Sequence, residues 1–166
     1  RAEEFVEDES ESERDLDVTA GSAEDVAGCD VISTTTPSRQ PVLERGWIDD
    51  GTHINAMGAD AEGKQELDPQ ILKDAKVVVD DWEQCKHSGE VNVPVSEGAI
   101  DRSDVHAEIG EVVAGEAPGR EGDEITVFDS TGLAIQDVAA SRIVYERGKK
   151  EDVGTPFSLV GTDTDS

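Results

Sequence analysis

The stretch Asp68-Pro69-Gln70-Ile71-Leu72-Lys73-Asp74-Ala75-Lys76-Val77-Val78-Val79-Asp80 decides the fold class. Asp68 can cap a helix, and Pro69 suits the first helical position, where a missing N–H costs nothing. A short helix over Asp68–Asp74 follows. Lys76–Asp80 is then a strand of nearly pure valine. A strand without polar alternation is expected of a parallel sheet buried on both faces. Parallel neighbours need crossovers, so helices and strands should alternate along the chain.

They do so on either side. Upstream, Ser22–Gly28 reads as a short helix with Ser22 at its N-cap. Val31–Thr36 reads as a β-branched buried strand stopped by Pro37. Thr52–Met57 is another strand, ended by Gly58. Downstream, the pattern predicts helix over Trp82–His87, helix over Asp104–Ala114 closed by Gly115, and strand over Glu124–Phe128. Leu133–Arg147 has apolar residues at Leu133, Ile135, Val138, Ala139, Ile143 and Val144, a helical stripe. Arg1–Arg14 reads as an acidic helix, Asp15–Ala20 as a weakly alternating strand, and Gly148–Ser166 as a polar tail. The class is α/β with a parallel sheet.

Forty Asp and Glu oppose fourteen Lys and Arg in 166 residues, a formal charge of −26. Such a field repels nucleic acid and anionic membranes, so neither is expected as a partner. No apolar run approaches bilayer length, and no basic-then-apolar leader opens the chain; the expectation is a soluble, cytoplasmic protein. Acidic chains poor in aromatics can be disordered. Here the acids separate clear apolar strands, which favours a folded halophilic protein. Its surface suits molar salt, where screening shortens self-repulsion to about 3 Å.

Cys29 and Cys85 lack the paired spacing of a zinc site and read as small core residues. Asp80-Asp81 resembles a metal pair, but an acidic pair between strand and helix reads as a cap, and no metal site is expected. His53 reads as structural, His87 and His106 as surface residues, and Trp47 and Trp82 as packing at element ends.

The segment richest in chemistry is His53–Leu67. It contains Gly58-x-x-x-x-Gly63-Lys64, close to a phosphate-binding P-loop. Gln65 replaces the magnesium-holding Ser or Thr, and Asp60 and Glu62 would repel phosphate inside the cradle, so that reading fails. In open α/β sheets, ligands bind beyond the carboxyl ends of the strands. Thr36 and Met57 end consecutive strands, and Asp60 follows after a glycine. Its carboxylate can face that crevice or cap the next turn.

Three blocks carry a resemblance. They are Asp30-Val31-Ile32-Ser33-Thr34-Thr35-Thr36-Pro37-Ser38, Ile54–Leu67, and Pro118-Gly119-Arg120 followed by Ile125–Asp137. In order and spacing they resemble the "DV-apolar-x-T-x-TPS", "INAxGxDxxGKxEL" and "PGR…ITVFDSTGLAxQD" motifs of the ornithine cyclodeaminase/mu-crystallin family. The resemblance implies a partial Rossmann-like domain over 1–128, lacking its first strands. It also implies a helix over 129–150 returning to a dimerisation and substrate domain, with a tail over 151–166. The remaining strands, Val31–Thr36, Thr52–Met57 and Lys76–Asp80, should then form a parallel core, with Asp15–Ala20 detached or irregular.

By the same resemblance, NAD or NADP would be bound by Thr36, Ile54, Asn55, Ala56, Met57, Lys64 and Ser130. Asp60 would be the catalytic carboxylate and would contact a small amino-acid substrate, with Thr131 beside it. The implied activity is oxidative deamination of a small L-amino acid, as in archaeal alanine dehydrogenases. Ornithine cyclodeaminase and mu-crystallin-like binding of dinucleotides and small molecules are the alternatives. A homodimer is implied at full length. The family's glycine-rich turn and substrate-carboxylate Lys and Arg are expected upstream of Arg1, so the isolated chain is expected to be inactive.

Overall fold

The computed structural model describes residues 2–10 and 17–155, with the side chains of 7–10 excluded. Two units are distinct, Arg1–Thr131 and Gly132–Ser166.

The first unit holds α1 (Ala2–Ser10), α2 (Ala23–Ala27), β1 (Val31–Thr34), β2 (His53–Ala56), α3 (Pro69–Asp74), β3 (Lys76–Val79), α4 (Trp82–Ser88), α5 (Asn92–Ser96), β4 (Val105–Glu108), α6 (Ile109–Ala114) and β5 (Thr126–Asp129). The five strands form one sheet in the order β1-β2-β5-β3-β4, and every pairing is parallel. The three expected core strands are present and parallel. β5 inserts between β2 and β3, which are therefore not neighbours. Asp17–Ala20 is irregular and belongs to no strand, while Asp15 and Leu16 lie outside the described residues.

One face of the sheet makes the core. Ile32, Ile54, Ala56, Val77, Val79, Val105 and Val127 cluster there with Ile71 and Leu72 of α3 and Cys85 of α4. The period of two along each strand aims these residues at the same helical layer. Asp68 caps α3 by accepting from Gln70 N, and Pro69 occupies the first turn. On the other face, Val31 is 61 % exposed and His53, Asn55, Val78 and Phe128 are half-buried. That face has an open hollow of about 310 Å³ between His53, Lys76, Val78 and Phe128.

Two expectations differ from the structure. Asp104–Ala114 is not one helix. Val105 and Ala107 are buried and pair with β3, so Val105–Glu108 is a strand, and the helix begins only at Ile109, where Glu108 and Glu111 form a capping box. Cys29 is exposed; only Cys85 is a core residue. Trp47 and Trp82 both pack against the core as expected.

The second unit contains α7 (Ala134–Glu151), which runs four residues beyond the expected end at Arg147. Gly148 does not break it. Asp152 ends it in the left-handed conformation, with φ 53°. Ile135, Val138, Ile143, Val144 and Tyr145 on this helix are exposed.

Candidate functional site

Because all strands are parallel, their carboxyl ends share one edge. Ladder bonds continue a step past the strands. Met57 N donates to Thr34 O at 3.0 Å, Ser130 N to Ala56 O at 3.1 Å, and Asp80 N to Asp129 O at 3.0 Å. Thr36, Met57 and Ser130 are thereby brought to that edge. Thr36 is exposed and Met57 is 42 % exposed, while Ser130 is buried.

The other residues expected at the cofactor are placed differently. Ile54 and Ala56 point into the core, at 0 % and 1 % exposed, so only their main chain is available to a ligand. Asn55 lies on the opposite sheet face. Its Nδ2 donates to Ser33 Oγ at 3.3 Å, and its Oδ1 lies 3.2 Å from His53 Nε2.

Asp60 sits in the loop leaving β2. Its carboxylate accepts from the Lys64 ammonium. The hydrogen bond and charge of Lys64 hold the Asp60 carboxyl below the usual carboxylate range. The Asp60 side chain is 63 % exposed and that of Lys64 20 %. The next helix is capped by Asp68, not Asp60. Asn92 pins the loop, accepting from Gly63 N at 2.9 Å and donating to Lys64 O at 2.8 Å. Gly63 has φ 74°, a left-handed conformation that glycine adopts without strain.

Thr131 reaches Ser130 through Asp80. Asp80 Oδ2 accepts from Ser130 Oγ at 2.9 Å and from Thr131 N at 2.8 Å. Gln84 Nε2 donates to Thr131 Oγ1 at 2.6 Å. The acidic pair therefore divides its work. Asp81 is the N-cap of α4, accepting from Gln84 N at 2.8 Å, as expected of a cap. Asp80 instead ties the end of β3 to the Ser130–Thr131 turn.

Sequence reasoning missed three further acids behind this edge. Glu66, Glu90 and Asp129 are 0 %, 0 % and 1 % exposed. Glu66 accepts from Thr36 N and Gly58 N, Glu90 from Glu66 N and Leu67 N, and Asp129 from Glu90 N and Val91 N. Burial pushes the Glu90 carboxyl up to about 8 and that of Asp129 up to about 7. The only local signal is that each acid directly precedes or follows an apolar or glycine residue. Among the described residues, no group of three or more His, Cys, Asp or Glu is arranged to hold a metal ion. An ionised, exposed carboxylate beyond the carboxyl end of a strand can accept a proton from a nearby ammonium.

Comparison with known proteins places these features in context. The model of the ornithine cyclodeaminase/mu-crystallin family matches residues 1–152. An alanine dehydrogenase of Archaeoglobus fulgidus is 59 % identical over 148 residues, covering 89 % of this chain and 46 % of that enzyme. The structure of an archaeal alanine dehydrogenase dimer with bound NAD superposes with a TM-score of 0.87 at 55 % identity, covering 96 % of this chain and 49 % of that one. The Thermococcus litoralis Delta(1)-pyrroline-2-carboxylate reductase, in complex with NADH and L-proline, gives a TM-score of 0.78 at 40 % identity, over 83 % of this chain and 44 % of that one. The chain thus spans about half the length of the relatives it matches.

Proposed function

The chain belongs to the ornithine cyclodeaminase/mu-crystallin family, and from that premise we propose that it is the cofactor-binding and catalytic-carboxylate half of an NAD(P)-dependent amino-acid dehydrogenase. The reaction is oxidative deamination of a small L-amino acid of the alanine type. The observation that carries the reading is Asp60, exposed beyond β2 and kept ionised by Lys64.

The carboxyl edge fits a dinucleotide, NAD or NADP. Thr36 and the partly exposed Met57 offer a hydroxyl and an apolar wall at adjacent strand ends. Lys64 supplies positive charge within a chain of formal charge −26. Ser130 and the main chain of Ile54, Asn55 and Ala56 complete the set. When bound, the dinucleotide supplies a two-electron hydride acceptor. Asp60 accepts a proton from the substrate ammonium, which frees the nitrogen lone pair to form C=N as hydride leaves Cα. Asp60 then orients water toward that carbon, and loss of ammonia leaves the oxo acid. Thr131, held by Asp80 and Gln84, stands at the substrate. A cyclodeaminase would use the same carboxylate, with a side-chain amine in place of water.

The same reading makes the complete protein a soluble, cytoplasmic homodimer that requires salt. The exposed apolar residues of α7 support its membership of the dimerisation and substrate domain, and the charge of −26 supports the salt requirement.

The test is Asp60→Asn in the complete enzyme. Asparagine keeps the size but has no useful basicity, so turnover should fall by roughly 10²–10⁴-fold while dinucleotide affinity is retained. Near-normal turnover with both alanine and ornithine would remove Asp60 from the chemistry.

A further inference from the structure

We propose that Glu66 is the positioning residue of the cofactor crevice: its single buried carboxylate bridges the loops leaving β1 and β2 and sets where Thr36, Met57 and Asp60 stand. This rests on the dinucleotide reading above.

The β1–β2 ladder ends with the bond from Met57 N to Thr34 O. The next residues to need acceptors are Thr36 and Gly58, each two positions past its strand. Glu66 supplies both. Oε1 accepts from Thr36 N at 2.5 Å and Oε2 from Gly58 N at 3.0 Å. One oxygen holds each loop, so the width of a carboxylate fixes the gap between them. Charge-assisted bonds of this kind are shorter and stronger than neutral ones.

Glu66 is itself held from several sides. Its N–H donates to Glu90 Oε1 at 2.9 Å, and its carbonyl accepts from Val42 N at 2.6 Å and Leu43 N at 3.1 Å. Glu90 N donates in turn to Asp129 Oδ1 at 2.8 Å, and Asp129 directly precedes Ser130. The ends of β1, β2 and β5 are therefore linked through backbone amides and carboxylates alone. Among the described residues no Lys or Arg pairs with Glu66.

Gly58 shows how close this contact is. A Cβ there would lie 2.5 Å from Glu66 Cδ and 2.6 Å from Oε1, and would meet Oε2 as well. Gly58, two residues before Asp60, is thus required by the carboxylate behind it.

The experiment compares Glu66→Gln and Gly58→Ala with wild type in the complete protein, in molar KCl. Glutamine keeps the volume but offers one acceptor, and its NH2 confronts the other backbone N–H. Alanine at 58 leaves Glu66 in place and pushes its carboxylate from the loop side. NADH affinity by fluorescence titration, KM and kcat for the amino acid, and the melting temperature are read together. The expected result is a dissociation constant for NADH raised about tenfold or more in both folded variants, the size of one lost charged hydrogen bond. Unchanged NADH affinity in folded variants, whatever the melting temperature, assigns Glu66 to stability alone and overturns the proposal. Failure of both variants to fold does the same. Wild type that binds no dinucleotide overturns the cofactor reading itself, an outcome distinct from equal binding by wild type and variants.

Discussion

Glu90 lends itself to a quantitative test of how a buried acid contributes to this fold. Its Oε1 accepts from Glu66 N at 2.9 Å and Leu67 N at 2.7 Å, and among the described residues its Oε2 accepts only from Glu66 N at 3.1 Å. Glu90→Ala leaves two buried amides without an acceptor. At about 1–3 kcal/mol each, the loss is roughly 2–6 kcal/mol, before any term for the cavity. Glu90→Gln can keep both amide bonds through a carbonyl at the Oε1 position and gives up only the longest contact. Its cost at neutral pH should stay under about 1 kcal/mol. The two variants also separate in pH. Burial holds the Glu90 carboxyl up to about 8, against an ordinary value of 4.5. The folded state therefore retains the proton that the unfolded chain has already lost. This contribution is fully present below about 4.5 and is lost as pH rises through about 8. Between those limits the wild type should lose up to about 1.4 kcal/mol per pH unit from this group, and Glu90→Gln should lose none of it. Urea unfolding of the complete protein from pH 5 to 9, in molar KCl, measures both effects. Equal destabilisation by Gln and Ala, or equal pH slopes in wild type and Glu90→Gln, would refute the reasoning.

Thermal midpoint and activity should rise strongly from dilute buffer to molar KCl, because screening shrinks from about 10 Å at 0.1 M to about 3 Å at 1 M; a flat profile removes the salt requirement. Lys64→Met should move the acidic limb of the kcat/KM profile to higher pH, since Lys64 is what holds the Asp60 carboxyl down; an unmoved limb would show that Asp60 does not set it. Peptide mapping after a thiol reagent should find Cys29 labelled in the folded protein and Cys85 labelled only on unfolding. Cys29 is exposed, whereas Cys85 is buried with its thiol pushed far up by desolvation.

The sheet was legible because its strands are β-branched and apolar, although only Ile32, Val77, Val79 and Val127 of these runs are buried, while Val31 and Val78 lie on the open face. β4 was not legible. Val105, Ala107 and Ile109 recur with period two, and Ile109, Val112 and Val113 recur with helical spacing, so strand and helix share Ile109 with no turn residue between them. The whole run therefore reads as one helix until the pairing with β3 is seen. α5 escaped for another reason: Pro94 stands at its centre and argues against a helix. At the site, Thr36, Met57, Asp60 and Lys64 were proposed from strand ends and motif. Asp80 was misjudged, because its partners Ser130 and Thr131 lie some fifty residues away. Glu66, Glu90 and Asp129 had no distinguishing composition in a chain of forty acids.

The acids of the described residues form two populations that respond to different variables. The exposed ones repel one another through solvent, so added salt weakens their effect. The buried ones at the carboxyl edge are beyond the reach of ions, and their energetics are set by desolvation and by the backbone amides they accept. Glu66, Glu90 and Asp129 thus act as neither counter-ions nor surface charge. Glu66 satisfies amides two positions past β1 and β2, and Glu90 and Asp129 satisfy amides of the loops behind it. A parallel sheet whose carboxyl ends must open onto a ligand needs acceptors for those amides that do not fill the crevice. The Glu66 carboxylate, rooted behind the edge, meets that need, since each of its oxygens holds a different loop. The acidity of the surface and the acidity of this edge therefore have separate physical origins, although composition alone merges them.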